Sequence, residues 1–332
     1  MRLGKYLSIA VAAVLLAILP LVFNSNAFLN FLIYTLIITL AAQGWNLLGG
    51  VAGQTSFGHA AMFGTGAYAI SLWQINLGMG AWSGLIVAIA AGALVAWLIG
   101  FVAFRAGLKG SYFALVTLAF AEVLRVVANS SPVTGGASGL LLPIKAGMAN
   151  FQFSDRTYFY WIALIMVVIG LVLMRWIEHS RFGAQLIAVR ENEEAAKALG
   201  IDTFKVKLRA MTISGAMAAA GGCLYVQYYL YIDSMIVLGP KISVEVLLAS
   251  LVGGLGTVFG PLVGTLALHI LGEGAKLFAG EIPGIDVALY GAVLIAAVWF
   301  MPRGLLSLGD KFRARKAAHT PRNTQAVAEE RP

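Results

Sequence analysis

The sequence predicts an all-α, polytopic integral membrane protein with about ten transmembrane helices. The chain of 332 residues is 60% hydrophobic and only 11% charged, whereas a soluble domain carries roughly a quarter charged residues. Apolar runs of about 20 residues, the length that crosses a bilayer, recur throughout. The single cysteine, Cys223, lies inside such a run, which excludes a disulfide framework. The chain is therefore expected to be solvated mainly by lipid.

Ten apolar runs, separated by charged residues or by glycine and proline, are the predicted spans. They lie near residues 7–23, 28–48, 55–75, 82–104, 111–127, 158–176, 208–231, 242–258, 260–280 and 284–301. So few residues separate the second from the third, and the eighth from the ninth, that short or broken helices are expected there. An alternative for the first run is a cleaved signal peptide, because Ser25-Asn26-Ala27 loosely resembles a cleavage site, although the run is long for that purpose.

The basic residues indicate the orientation. If the N-terminus is cytoplasmic, only Lys145, Arg156 and Lys241 of the 23 Lys and Arg residues fall in outside loops, and Arg125 and Lys276 fall within spans. All the others lie on the cytoplasmic side, as the positive-inside rule requires. Both termini are therefore predicted to be cytoplasmic, and the net charge of +8 reflects membrane topology and not a nucleic-acid partner.

This topology divides the chain into two parts. Residues 1–305 form the predicted transmembrane domain, which includes a long cytoplasmic loop at 177–209. Residues 306–332 are first basic and then polar, a composition that predicts a disordered cytoplasmic tail.

The centre of the cytoplasmic loop, "ENEEAAKALGI", predicts a short helix around 191–200. Alanine and glutamate are good helix formers, and Gly200 stands where a helix stop is expected. We expect an amphipathic helix lying along the membrane, with Glu191, Glu193 and Glu194 presented to the cytoplasm. The alternative is a solvated connector with no further role.

This loop carries a resemblance to a known family. Glu194-Ala195-Ala196 followed by Gly200 has the E-A-A-x-x-x-G form of the coupling loop of ABC-importer permeases. The stretches that resemble branched-chain amino-acid permeases of the longer, M-type kind follow in the family's usual order from residue 40 to 305: "NLLGGVAGQTSFGHAAMFGTGAY", "GSYFALVTLAFAEVLR", "TGGASGL", "RFGAQLIAVRENEEAAKALGI", "VGGLGTVFGPLVG" and "MPRGL". No Leu-Pro follows Gly200, a departure from the general permease pattern that the branched-chain group commonly shares.

The resemblance implies partners and a role for the loop. The assembly would contain two ABC ATPase subunits, a second permease subunit of the H type and an extracytoplasmic solute-binding protein, all at a bacterial inner membrane and its lipid. ATP chemistry would come from the partners, because the chain has no G-x-x-x-x-G-K-[ST] motif, and no cofactor is expected. The residues implied to couple the chain to the ATPases are Arg190, Glu191, Glu193, Glu194, Ala195, Ala196 and Gly200.

A glycine-rich stretch, "GGVAGQTSFGHAAMFGTGAY" at 49–68, raises three interpretations. A phosphate loop is rejected because no βαβ context surrounds it, which leaves close helix packing or the lining of a solute path. A related "GTVFGPLVGT" near residue 256 favours a central path, as paired glycine-interrupted segments do in transporters. The residues expected to pack helices or border the path, or alternatively to cap helix starts, are Gly53, Gln54, Thr55, Ser56, Gly58, His59, Gly64, Thr257 and Gly260.

Two pairs of opposite charges lie within predicted spans. Glu122 and Arg125, like Glu273 and Lys276, are three residues apart, which places each pair on one helix face. A proton or ion relay is one interpretation. The one we favour is a salt bridge, either inside the bundle or near the membrane interface, because each acid has a base in reach. His59 and His269 lack further ligands at metal spacing, so no metal site is predicted, and no catalytic set can be assembled.

The expected function follows from these observations. The chain is predicted to be the transmembrane permease subunit of an ATP-driven importer of branched-chain or related small amino acids, working by alternating access, and not an enzyme. A permease for urea or short amides is the nearest alternative. An ion-coupled secondary carrier that uses Glu122 or Glu273, or a passive channel, would belong to another class and would need no coupling helix.

Overall fold

A computed structural model describes residues 4–22, 25–145, 147–279, 291–292, 295 and 304–306, without the side chains of 4–5 and 275–279. Within this part of the chain the fold is all-α, as predicted, apart from one two-stranded sheet. Its helices are α1 (Gly4–Val22), α2 (Asn26–Trp45), α3 (His59–Leu77), α4 (Ala81–Arg105), α5 (Gly110–Ser130), α6 (Arg156–Glu178), α7 (Arg181–Glu191), α8 (Glu193–Ala198), α9 (Thr203–Tyr229), α10 (Ser234–Val237), α11 (Pro240–Gly253) and α12 (Gly260–Ala279).

The long helices coincide with the predicted apolar runs. Each of the first nine runs overlaps one described helix, with ends that agree to within about five residues. The tenth, 284–301, and the tail, 306–332, lie almost wholly outside the described residues. By length and hydropathy, five described segments suffice to cross a membrane: Asn26–Val51, Ala81–Arg105, Gly110–Ser130, Arg156–Glu178 and Ser234–Gly253.

One end of the bundle, which we call the α8 end, gathers the connections that flank α8. The Nζ of Lys109, between α4 and α5, lies 3.4 Å from Glu194 Oε1 of α8. Arg190 of α7 donates from Nη1 to the carbonyl of Gly50, after α2, at 3.0 Å. The connection between α11 and α12 lies at the same end, because its Gly256 N–H donates to Asn46 Oδ1 at 2.8 Å.

The opposite end, which we call the sheet end, holds the remaining connections. Strand β1 (Leu140–Leu141) pairs antiparallel with β2 (Tyr231–Ile232), so the α5–α6 and α9–α10 connections meet there. Trp82, at the start of α4, donates its indole N–H to the carbonyl of Met148 at 2.8 Å. Consecutive long helices therefore run alternately between the two ends.

Helix α9 lies at the centre, because it is lined with small residues. A Cβ added at Gly222 would lie 1.8 Å from the Phe63 carbonyl oxygen of α3, and one at Gly215 would lie 2.2 Å from Ala96 Cβ of α4. Such contacts let helix backbones approach closely where lipid provides no hydrophobic drive for association. The glycines of α3 that the sequence singled out face this helix or its neighbours: Gly66 meets the Ala219 backbone.

Two helices are interrupted where the sequence led us to expect broken spans. Helix α2 passes into a π-helical turn (Asn46–Val51), and residues 52–58 are not helical. The Trp45 indole donates to the Ser56 carbonyl at 2.7 Å and so closes this first break. The second break, 254–259, separates α11 from α12.

Candidate functional site

The loop at 177–209 forms two helices: α8 lies within the short helix expected around 191–200, and α7 before it was not expected. Ser180 accepts from the Gly183 N–H and begins α7. Asn192 has extended backbone, so it interrupts the helix, and its side chain accepts from the N–H groups of Glu194 and Ala195 at 3.1 and 3.0 Å. A side-chain cap of this kind favours a new helix start. Gly200 then stops α8 with a positive φ of 81°, as its position predicts.

Glu193 faces the bundle, so the expectation that it lies exposed with Glu191 and Glu194 was wrong. Its side chain is only 14% exposed, and its carboxylate lies 2.9 Å from Lys207 Nζ of α9 and 3.2 Å from Lys109 Nζ. Burial by itself raises the pKa of the Glu193 carboxyl, but the hydrogen bonds and charges of Lys207 and then Lys109 outweigh it and lower the pKa to about 2. The carboxylate therefore ties α8 to α9.

The outward surface of α8 is small and mixed in character. Glu194 is 72% exposed and lies 3.1 Å from Lys197 Nζ, which lowers the pKa of the Glu194 carboxyl. Glu191 and Ala195 are also exposed, whereas Ala196 is buried against the bundle. Leu199, which the sequence analysis did not single out, is 80% exposed beside Gly200.

Arg190 joins the loop to both helix breaks. Its guanidinium donates to the Gly50 carbonyl, and its aliphatic part covers Gly53, where an added Cβ would lie 2.5 Å from Arg190 Cγ. Asn46, one turn before Gly50, donates to the carbonyl of Thr257 at 2.8 Å and accepts from the Gly256 N–H. The end of α7 and the two breaks therefore form one hydrogen-bonded unit.

The polar residues of the first break divide into two groups. Ser56 and His59 are buried: Ser56 Oγ accepts from the Gly58 N–H at 3.1 Å, and His59 Nε2 lies 2.7 Å from Ser214 Oγ of α9. Thr55 and Gly53 are exposed, and Gln54 is half-buried. In this conformation the buried members hold the start of α3, while the exposed ones lie at the α8 end.

The remaining predicted packing residues lie at close backbone contacts. A Cβ at Gly58 would lie 2.3 Å from the Thr117 carbonyl oxygen, one at Gly64 would lie 2.3 Å from Leu238, and one at Gly260 would lie 2.3 Å from the Gly254 carbonyl oxygen. Thr257 Oγ1 donates to the same Gly254 carbonyl at 2.8 Å. A larger side chain at Gly58 or Gly260 would have to displace backbone, whereas one at Gly64 would first meet the Leu238 side chain.

Comparison with known proteins identifies the family. Residues 27–298 match the model of the branched-chain amino acid transport system permease components. The chain belongs to this family. The permease is similar to the high-affinity branched-chain amino acid transport system permease protein LivM of Escherichia coli, with 27% identity over 82% of this chain and 68% of that one. It is likewise 27% identical to LivH of the same transport system, over 80% of this chain and 90% of LivH. No solved structure matches.

Of the two predicted ion pairs, the permease structure describes one completely. Arg125 donates from Nε to Glu122 Oε2 at 2.9 Å and from Nη2 to Oε1. The pairing is as expected. The pair lies on an exposed face of α5, so of the two locations expected for the salt bridge the one inside the bundle is wrong. Glu273 is exposed on α12, and the Lys276 side chain lies outside the described residues.

A buried polar cluster at His269 was missed by the sequence analysis. His269 Nε2 lies 2.9 Å from Glu245 Oε1, its Nδ1 lies 2.8 Å from Thr35 Oγ1, and Tyr34 donates to the Glu245 carboxylate at 3.1 Å. The one hydroxyl proton of Thr35 goes to the Phe31 carbonyl, so Nδ1 donates to Thr35. A single proton then lies between His269 and Glu245, and the cluster is neutral overall whichever atom holds it. No group of side chains in the described part of the chain could hold a metal ion.

Proposed function

We propose that this permease is the transmembrane subunit of an ATP-driven importer of branched-chain or related small amino acids. The observation that carries the proposal is the arrangement of α8. It is short, its outward surface is exposed, and it is tied to the bundle at Glu193–Lys207 and, through α7, at Arg190–Gly50. A short helix with these properties suits a transmembrane protein whose conformational change is driven by separate ATPase subunits. A secondary carrier or a channel has no use for it.

The proposed topology is ten spans with both termini in the cytoplasm of a bacterial cell, in the inner membrane. The alternation of the nine long helices supports it, and Gly304–Leu306 lie again at the α8 end, where Leu305 N donates to the Val252 carbonyl at 2.8 Å. Most basic residues of the described loops lie at this end, which favours placing it in the cytoplasm.

The proposed partners are those of the family's transport systems. LivM and LivH are named as permease proteins of one system, which supports pairing this chain with an H-type permease. Two ABC ATPases would dock at the α8 end through Glu191, Glu194, Ala195 and Leu199, and an extracytoplasmic binding protein would deliver solute at the sheet end. In this scheme Gly200 and Ala196 set the position of α8 and do not touch the ATPase.

Two routes would carry motion from the ATPases into the spans. Displacement of α8 pulls on α9 through Glu193 and Lys207, and α9 is the helix against which α3 and α4 pack most closely. Displacement of α7 pulls on Gly50 through Arg190, and Asn46 passes this movement to the second break at Thr257. Interrupted helices can bend at their breaks without the loss of further hydrogen bonds. The residues from Gly53 to His59 would then border the path that opens.

Uptake into vesicles tests the proposal. The permease is reconstituted with its H-type partner and ATPases, the binding protein is added outside, and accumulation of radiolabelled leucine is measured with ATP inside. We expect accumulation that stops without ATP or with a hydrolysis-deficient ATPase. Accumulation that persists in both controls would identify an ion-coupled carrier, and entry that only equilibrates leucine across the membrane would identify a channel. Uptake of urea but not of leucine would support the amide importer.

A paired substitution separates docking from folding. Glu194→Lys reverses the charge on the exposed surface of α8, whereas Glu178→Lys reverses an exposed charge at the end of α6, outside α8. We expect the first to lower ATP-driven uptake at unchanged membrane insertion and the second to leave uptake intact. Equal ATP-driven uptake by both variants would show that the exposed surface of α8 does not couple the permease to the ATPases.

A further inference from the structure

The two most apolar of the five candidate spans, α4 and α6, suit contact with lipid. Their mean hydropathy is 2.6 and 2.3, against 1.6 to 1.9 for the other three, and most of each helix is not buried in the bundle. Near their starts, at the sheet end, they expose Trp82 of α4 and Tyr158 and Trp161 of α6. Exposed tryptophan and tyrosine at the ends of spans are typical of the membrane–water interface. These side chains therefore mark the height of the membrane surface at the sheet end.

The connection between α5 and α6 is fixed at the same height. The Trp82 indole donates to the carbonyl of Met148 at 2.8 Å. The Trp82 ring also stacks on Phe151, which stacks in turn on Phe159 of α6, with ring centroids 4.6 and 5.5 Å apart. Phe151 is fully buried. This row of rings therefore holds the connection against the first turns of both lipid-facing helices.

A buried glutamine fixes the backbone of this connection. Gln152 is 7% exposed, its Oε1 accepts from the Lys145 N–H at 2.7 Å, and its Nε2 donates to the Pro143 carbonyl at 3.0 Å. The Gly147 N–H donates to the Gln152 carbonyl at 2.7 Å. The backbone is therefore held from within the protein, and its outward side chains extend from a fixed support.

The tip of the connection, which we define as Ile144, Lys145 and Met148, presents aliphatic side chains away from the protein. Ile144 is 81% exposed, the largest fraction among the large apolar side chains that the structure describes, and Met148 is 73% exposed. From residue 131 to residue 154 the sequence has no acid, and its one charged residue is Lys145. Aliphatic groups beside a lone base complement a membrane surface, where acyl chains lie beneath anionic headgroups.

We infer that the tip inserts into the membrane surface at the sheet end, with Ile144 and Met148 at the boundary between headgroups and acyl chains. Lys145 would reach the headgroup phosphates, because a lysine stem can follow apolar surface while its ammonium group stays in the polar layer. The tip would anchor the starts of α4 and α6 to the lipid. This role is separate from solute transport, and it assigns the tip to phospholipid and not to the solute-binding protein.

Fluorescence quenching at single positions tests the inference. Cys223, the one native cysteine, is fully buried, so the unsubstituted chain measures background labelling by a thiol-reactive fluorophore. Ile144→Cys and Met148→Cys place the label at the tip. The assembled transporter is reconstituted in vesicles of phosphatidylethanolamine and phosphatidylglycerol. Iodide quenches labels in water, and a phospholipid with a nitroxide on its upper acyl chain quenches labels in the membrane.

Two further positions calibrate the quenchers. Ser138→Cys replaces an exposed polar side chain of the same connection and provides the control in water. Ile86→Cys provides the control in lipid, because Ile86 is 70% exposed on α4 and lies four residues beyond Trp82, about 6 Å along the helix axis.

We expect the nitroxide lipid to quench both tip labels about as strongly as the Ile86→Cys label. Iodide should quench them at least about fivefold less than the Ser138→Cys label, because an anion is excluded from an apolar layer. Tip labels that iodide quenches as strongly as the Ser138→Cys label would overturn the insertion. If added solute-binding protein then removed that iodide quenching, the tip would be a docking site for this protein instead.

A charge at the tip provides the second test. Ile144→Glu is combined with the Met148→Cys label, and Ser138→Glu with the same label is the matched control. We expect Ile144→Glu to raise iodide quenching of the label at least about threefold, because insertion depends on the apolar area buried, and Ser138→Glu to leave it unchanged. The Ile86→Cys label should keep its lipid quenching beside Ile144→Glu, which shows that α4 still spans the membrane. Unchanged iodide quenching with Ile144→Glu would overturn the inference.

Discussion

Glu193 is a partly buried carboxylate and Glu245 a buried one, and they are accommodated in opposite ways. Glu193 has three ammonium groups within 4 Å, those of Lys207, Lys109 and Lys197. Glu245 has one imidazole and one phenol. The first cluster carries excess positive charge, and the second is neutral overall.

The difference shows that burial limits the net charge that a cluster of side chains can carry. Lys109 and Lys197 are about half exposed and also contact Glu194, so this second carboxylate and water balance the charge that Glu193 does not. Among the described residues, no such water-exposed cation contacts Glu245, and removing ions from water costs several kcal/mol each. One shared proton there keeps a carboxyl and an imidazole together without net charge.

The largest expected effect is at the neutral cluster. Glu245→Ala leaves the Tyr34 hydroxyl and a neutral His269 without their partner. At about 1–3 kcal/mol for each buried polar group left unpaired, we expect a loss of about 2–6 kcal/mol of stability. Glu245→Gln keeps an acceptor for Tyr34 and a donor for a neutral His269, so it should unfold close to wild type. Thermal unfolding of the purified permease in detergent, followed by tryptophan fluorescence, measures both. Equal melting temperatures for Glu245→Ala and Glu245→Gln would contradict the assignment of one shared proton to His269 and Glu245.

A smaller, local effect is expected at Glu193. Glu193→Ala leaves Lys207 buried without a carboxylate, which we expect to weaken the docking of α8 by about 1–3 kcal/mol. Amide hydrogen exchange across residues 193–199 should accelerate while that of α9 stays slow. Glu191→Ala, an exposed acid next to α8, is the matched control. An equal acceleration in both variants would show that Glu193 does not anchor the helix.

Acid should reproduce that effect in the wild type. The pKa of the Glu193 carboxyl is lowered from 4.5 to about 2, so its stabilising contribution is complete above pH 4.5 and is lost as the pH falls towards 2. Exchange in α8, expressed relative to the intrinsic rate at each pH, should rise as the pH falls through this window and stay flat between pH 5 and 8. The Glu193→Gln variant should show no such rise. A rise of equal size there would assign the transition to another group.

The smallest effect is expected at Gly200, which ends the same helix but carries no charge. Its positive φ of 81° disfavours any residue with a Cβ, and no atom lies within 4 Å of an added Cβ. Gly200→Ala should therefore cost about 1–2 kcal/mol through backbone strain alone. Gly200→Asn, which tolerates this conformation better, should cost less. Amide hydrogen exchange in α8 compares the two variants. Faster exchange in Gly200→Asn than in Gly200→Ala would exclude backbone strain as the cause.

The sequence by itself determined the helices, their breaks and the stop at Gly200. Apolar run length, glycine and proline act locally, so the runs, the two breaks and the E-A-A-x-x-x-G segment could be recognised without tertiary contacts. The new helix start at Asn192 could also have been predicted, because Asn is a favoured N-cap. It was missed because the alanine- and glutamate-rich sequence on both sides predicts one continuous helix.

Only the tertiary structure decided which way the polar side chains point. His269 meets Thr35 across 234 positions and Glu245 across 24, and Glu193 turns inward because Lys207 of α9 and Lys109 of another loop converge on it. Such pairings depend on three segments meeting, which no local pattern records. The same holds for the Glu122–Arg125 pair: its spacing predicted the contact, but the packing of α5 at the edge of the bundle decided that the contact faces outward.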